Sequence, residues 1–173
     1  GKKARKQQSS DTAELNVLIR KREQIAALKG ARVSTVYLDY EYGKDYESSV
    51  RELREMGFRV GIATTRIMKP GEANQLNRII KLQPDIVLVR SLGALNVLEN
   101  SGLDLYGDFS FNIANSVTAE WFIKKGLKRL CPSYDLNTKQ LFDLLNGIDG
   151  GCFEVTVHQY MPAFHMDYCV FAA

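Results

Sequence analysis

The chain has 173 residues, of which 45% are hydrophobic and 25% charged, values typical of a single globular domain. No apolar run approaches the roughly 20 residues that a membrane helix needs, and the basic N-terminus leads into polar residues, unlike a signal peptide. Three widely spaced cysteines argue against a disulfide framework. Together these features predict a cytoplasmic protein, because thiols stay reduced there.

The net charge of +3 is concentrated at the N-terminus. Residues 1–10 contain four of the 23 basic residues and no acidic one, so the rest of the chain is close to neutral. This composition predicts a flexible, solvated basic tail, with an arm that binds nucleic acid as the alternative. We expect residues 11–173 to form the folded domain.

Helical and strand patterns then alternate along the chain. Asp11 is a typical N-cap, and Leu15, Leu18 and Ile25 follow on one face of a predicted helix that ends at Gly30. Further helices are predicted over 46–56, 70–83, 94–99 and 116–125, and after residue 137, where Asn and Gln three residues apart form a capping box. Six strands are predicted between them, over 33–39, 58–64, 85–90, 105–113, 129–132 and 152–158.

Six strands separated by helices predict an α/β fold with a mostly parallel sheet. A complete (β/α) barrel has eight strands in about 250 residues. We therefore predict an incomplete TIM-like barrel. The chain ends in the apolar run 169–173, from which we expect the domain to be truncated and the natural protein to continue.

Polar residues follow several predicted strands, where ligands bind in parallel α/β folds. Asn112, Asn115, Ser133 and His158 each follow or end such a strand, so we expect them to converge at one edge of the sheet. Glu154 either forms a carboxylate pair with Asp167 or is a solvated strand residue. The sequence contains no standard phosphate loop, HExxH pair or GxSxG motif.

Both histidines of the chain and one cysteine lie within residues 158–169. His165 and Cys169 are four residues apart and would meet on one face of a helix. Such a pair could bind a metal or an iron–sulfur cluster, or act as nucleophile and base. The spacing alone favours core packing, because two histidines and one thiol complete no standard site.

This C-terminal segment resembles the collagenase-like peptidase family U32, whose signature places a Glu, a His and then cysteines after a strand. Glu154, His158 and Cys169 stand at the matching positions. The runs 107–115, 132–136 and 165–171 resemble the long, multidomain branch, and the resemblance covers residues 31–173. The usual Gly after the His is replaced by Gln159, and of the family's motif cysteines only Cys169 is present here.

The resemblance implies a domain of a peptidase, a hydrolase that acts on protein or peptide substrates. Its first alternative is an iron–sulfur-dependent, oxygen-independent hydroxylase acting on RNA or a ubiquinone-type precursor, and its second is a non-catalytic binding domain. We predict His158, Asn112, Asn115 and Glu154 as the catalytic residues. Cys169 and His165 are the predicted cofactor ligands, Cys169 as the metal ligand.

The cofactor that the resemblance implies is an iron–sulfur cluster in the full-length protein. With one motif cysteine, residues 1–173 alone are expected to hold no cluster and to be inactive. The implied partners are a protein or peptide substrate, or RNA, and the remaining domains of the same polypeptide, with no membrane.

Overall fold

A computed structural model describes residues 13–69, 71 and 73–160. In this part of the chain, strands alternate with helices. The strands are β1 (Asn16–Ile19), β2 (Thr35–Leu38), β3 (Arg59–Ala63), β4 (Ile86–Val89), β5 (Leu105–Gly107) and β6 (Leu127–Leu130). The α-helices are α1 (Tyr46–Glu55), α2 (Ala73–Leu82), α3 (Leu92–Leu98), α4 (Ser116–Lys124) and α5 (Thr138–Gly147).

The six strands form an open parallel sheet in which they follow one another in chain order. The predicted α/β fold of six parallel strands alternating with helices is therefore confirmed, and the sheet is consistent with an incomplete TIM-like barrel. Across residues 13–69, 71 and 73–160, every helix is too short or too polar to cross a bilayer. The contacts divide the chain into two compact units, residues 1–62 and residues 63–173.

The first unit is built on β1, β2 and β3, which pair in parallel. Every residue of β2 is buried, as expected for a parallel strand covered on both faces. Tyr37 of β2 lies opposite Gly61 of β3, and a Cβ atom on Gly61 would lie 2.2 Å from the Tyr37 ring. Glycine at position 61 thus makes room for a buried aromatic ring.

The second unit has its own apolar core between β4, β5 and β6 and the helices α2 to α5. Leu98, Ile113 and Leu130 are fully buried in it. Helix α5 begins with the predicted capping box, in which the Asn137 side chain accepts from the Gln140 amide at 2.9 Å. Strands and helices therefore both contribute buried side chains to the core of each unit, as the alternating sequence pattern predicted.

The helix predicted after Asp11 is wrong. Residues 16–19 form β1, which pairs with all four residues of β2, and a 3-10 helix follows over Arg22–Leu28. Val17, Leu18 and Ile19 are consecutive and apolar, a run that suits a strand as well as a helix. The backbone hydrogen bonds of the parallel pair decide the outcome.

The last predicted strand, over 152–158, is also wrong. Its first residue, Cys152, belongs to a 3-10 helix over Gly150–Cys152, and among the residues of the predicted strand only Phe153 forms a bridge, to Leu130 of β6. Strand β5 is shorter than predicted because a 3-10 helix over Phe109–Phe111 follows it, and Asn112 then adopts a left-handed conformation with φ of 50°. Asn is one of the few residues other than glycine that tolerates this conformation.

Candidate functional site

The polar residues of the second unit gather where β4, β5 and β6 end. Arg90 directly follows β4, Asp108 directly follows β5, and Cys131 directly follows β6. Because parallel strands point the same way, these three residues lie at the same edge of the sheet, where ligands of α/β folds bind. This edge is the candidate site.

A buried ion pair lies at the centre of the site. Arg90 Nε lies 3.1 Å from Asp108 Oδ2, and the two side chains are only 6% and 7% exposed. The Arg90 amide donates to Thr64 Oγ1 at 3.0 Å, and Ser110 Oγ donates to the Arg90 carbonyl at 2.9 Å. A buried charge is costly unless it is paired and hydrogen-bonded, and here both conditions are met. The network therefore holds the ends of β4 and β5 in one arrangement.

Cys131 is a buried thiol beside this network. Its Sγ lies 3.3 Å from Thr156 Oγ1, and burial raises the pKa of the thiol from 9.0 to about 11. The negative charges of Asp108 and Glu154 also raise the pKa of Cys131, so both carboxylates lie within electrostatic reach of it. The thiol is protonated at neutral pH, which suits packing and not metal binding or nucleophilic attack.

We expect Cys131 to react slowly with iodoacetamide in the folded protein at pH 8. A rise of the pKa from 9.0 to about 11 lowers the thiolate fraction at pH 8 roughly a hundredfold. The higher nucleophilicity of the remaining thiolate offsets part of this loss, so the alkylation rate falls by about tenfold before steric protection is counted. Peptide mass spectrometry after timed alkylation measures the rate at Cys131 alone, and the same chain in urea is the reference. Equal rates in the folded and unfolded protein would contradict the raised pKa.

The structure places three of the predicted site residues on neighbouring segments. Asn112 is exposed, and the Asn115 side chain caps α4 by accepting from the Thr118 amide at 2.9 Å. The Ser133 amide donates to the Ile113 carbonyl at 2.9 Å, which brings the segment after β6 beside the segment after β5. Asn115 therefore has a structural role in its helix, and a catalytic role for it or Asn112 stays a prediction.

Glu154 and His158 follow the bridge at Phe153. The Glu154 amide donates to the Leu130 carbonyl at 3.0 Å, so this half-buried residue lies beside the end of β6. His158 is exposed, and its ring lies 6.3 Å from the Tyr160 ring. The geometry thus brings Glu154 to the candidate site, while the catalytic role of either residue stays a prediction.

The predicted cofactor ligands, His165 and Cys169, lie outside the described residues. Iron–sulfur clusters are held by cysteine thiolates, normally four of them. Within residues 13–69, 71 and 73–160, no group of three or more His, Cys, Asp and Glu side chains could hold a metal ion, and burial raises the pKa of both Cys131 and Cys152. The described residues therefore do not fit a cluster, and ligation by Cys169 stays a prediction.

The ion pair of Arg90 and Asp108 is the feature that sequence reasoning did not select. Each residue directly follows a strand, and the two strands are neighbours in chain order. Opposite charges at the ends of adjacent parallel strands are a signal that could have revealed the pair. The signal was weak, because polar residues at strand ends more often form turns and helix caps.

Comparison with known proteins agrees with this fold. A family model described as Peptidase family U32 matches residues 29–173, which is most of the chain. The solved structure entitled "The Structure of the U32 Peptidase Mk0906" is similar with a TM-score of 0.68 and 13% sequence identity, over 88% of this chain and 70% of that chain. At this identity the structural likeness shows the fold alone. Among curated proteins none matches the sequence.

The family model covers nearly the same residues as the resemblance seen in the sequence, and so confirms it. Membership of the long, multidomain branch stays a prediction. On the family match and the fold together, the chain belongs to peptidase family U32.

Proposed function

We propose that this chain forms part of the catalytic domain of a peptidase that hydrolyses protein or peptide substrates. The observation that carries the proposal is the buried Arg90–Asp108 network at the ends of β4 and β5, in a chain of peptidase family U32. Ligands of parallel α/β folds bind at this edge of the sheet. A rigid polar network there is suited to positioning a substrate.

Direct attack of water on a peptide bond uses a base that activates the water beside the scissile carbonyl. Asp108 is poorly suited to this task because its carboxylate is held in the ion pair with Arg90. Glu154 is half-buried beside the end of β6, at a position that matches the glutamate of the family signature. We assign the base to Glu154, with the substrate lying across the ends of β5 and β6.

Glu154→Gln is expected to lower kcat for peptide cleavage by about 10²–10⁴-fold with a small change in KM, because the amide keeps the shape of the side chain but not its basicity. The measurement uses the intact protein with fluorogenic casein and gelatin. Glu120→Gln, on the exposed surface of α4, is the matched control and keeps full activity.

Two results would count against the proposal. Unchanged kcat in the Glu154 variant would remove Glu154 from the base role. Absence of cleavage by the unaltered protein across a broad peptide mixture would contradict the peptidase itself. The hydroxylase acting on RNA or a ubiquinone-type precursor stays an untested alternative, with no contact in the described residues that favours it.

A further inference from the structure

Three flat side chains pack together at the candidate site, each from a segment that follows a different strand. The Arg66 guanidinium carbon lies 4.7 Å from the centroid of the Phe109 ring. The Tyr134 ring lies 5.0 Å from the same ring, centroid to centroid, with an interplanar angle of 57°. Arg66 follows β3, Phe109 follows β5 and Tyr134 follows β6, and all three belong to the second unit. We call these three side chains the aromatic platform.

The buried polar network fixes the central ring of the platform. Phe109 lies between Asp108 and Ser110 in the chain, and both neighbours bind Arg90. Phe109 itself is 8% exposed, so its ring serves as a support for the other two groups. A recognition surface gains affinity when it is ordered before the ligand arrives. The buried ion pair thus helps to order the exposed part of the platform, because it holds the Phe109 ring in place.

The outer members of the platform remain accessible to a ligand. Tyr134 is 41% exposed and Arg66 is partly exposed, at the edge of the sheet where ligands bind. Planar cations and aromatic rings both attract a further aromatic ring, through cation–π contact and offset or edge-to-face stacking. The surface therefore matches a flat aromatic group better than an aliphatic one.

We propose that the aromatic platform is a substrate subsite that binds an aromatic side chain of a peptide. The inference rests on the proposed function, which makes a peptide the substrate. A nucleobase could also stack here, but nucleic-acid binding draws on several cations that neutralise phosphates. The platform contributes one cation, Arg66, because Arg90 is already paired with Asp108, and the exposed Asp135 stands next to Tyr134. The local charge therefore favours a peptide.

The test measures binding and not cleavage. Two fluorescently labelled peptides that differ only in a central Phe or Ala are titrated with the intact protein, and Kd is read from fluorescence anisotropy. We expect the Phe peptide to bind roughly tenfold more tightly. Tyr134→Ala is expected to reduce this preference to less than about twofold, whereas Tyr134→Phe keeps it because the ring remains.

Phe142→Ala is the matched control, because Phe142 is a 59% exposed ring on α5 that takes no part in the platform. This variant keeps the preference for the Phe peptide. Equal Kd values for the two peptides, or a preference that survives Tyr134→Ala, would overturn the proposal. The proposal would also be overturned if a single-stranded RNA oligomer bound more tightly than the Phe peptide and Tyr134→Ala abolished this RNA binding. If the Phe peptide bound preferentially but no peptide were cleaved, the proposed hydrolysis would be contradicted and the proposed aromatic subsite would still be supported.

Discussion

Asp108→Asn is expected to lower the free energy of unfolding by about 3–5 kcal/mol, because it removes the carboxylate that pairs with the buried Arg90 guanidinium. Both side chains of the pair are more than nine-tenths buried, so water cannot solvate the cation that remains. The asparagine has the same shape as the aspartate, so the loss of stability results from the change in charge and not from a cavity. Urea unfolding followed by circular dichroism, with the slope compared between variants, measures the change.

The exposed ion pair of Lys139 and Asp143 on α5 provides the matched control for this variant. Asp143→Asn makes the same chemical change at the surface, and its urea midpoint is expected to stay close to that of the unaltered protein. Replacing both members of the buried pair, as Arg90→Met with Asp108→Leu, is expected to recover most of the lost stability. If the urea midpoint of Asp108→Asn equalled that of Asp143→Asn, the claim that burial makes the loss of the Arg90–Asp108 pair costly would be contradicted.

Gly61→Ala is expected to destabilise the first unit by about 1–3 kcal/mol, the usual cost of adding an atom to a packed core. The new Cβ would lie 2.2 and 2.6 Å from two atoms of the Tyr37 ring, closer than real Cβ contacts allow. Tyr37 is 3% exposed, so the ring has little room to move aside. Thermal unfolding by calorimetry gives the change in Tm.

Gly147→Ala is the control for this substitution, because a Cβ there would meet Ser116 at an ordinary distance of 3.4 Å. Alanine in a helix is as stable as glycine or more so, so no loss is expected. The double variant Tyr37→Leu with Gly61→Ala should lose less than the sum of its two single changes, because the ring that clashes is gone. Full additivity would show that the clash is not the cause.

The fold could be predicted from the sequence because its middle elements carry strong local signals. The run 85–90 is apolar and bounded by charges, and the Asn137–Gln140 box marks the start of α5 in both sequence and structure. Both ends of the chain were harder to interpret. A short apolar run such as 16–19 fits helix and strand alike, and only its pairing with β2, a contact distant in sequence, decides between them.

The candidate site was less accessible to sequence reasoning than the fold. The prediction that polar residues follow the strands included Ser133 but selected neither Arg90 nor Asp108, because Asp108 lies inside the predicted strand 105–113. Burial distinguishes the ion pair from ordinary turn residues, and burial depends on tertiary packing. The contacts of Arg66 and Tyr134 with Phe109 could not be predicted either, since the three residues are far apart in sequence.

Strand β6 bears on which strands can pair with the edge of the described sheet. It is the last strand in the order of that sheet, and beyond it the described residues add only the single bridge at Phe153. Unpaired strand edges invite strands from other molecules, and charged side chains along the edge discourage them. Leu127 and Leu130 at the two ends of β6 are buried, and its two middle residues are charged. Lys128 pairs with Asp104 and Arg129 lies over the Tyr106 ring, so a strand that added here would meet charged groups already held by the neighbouring strand and its approach.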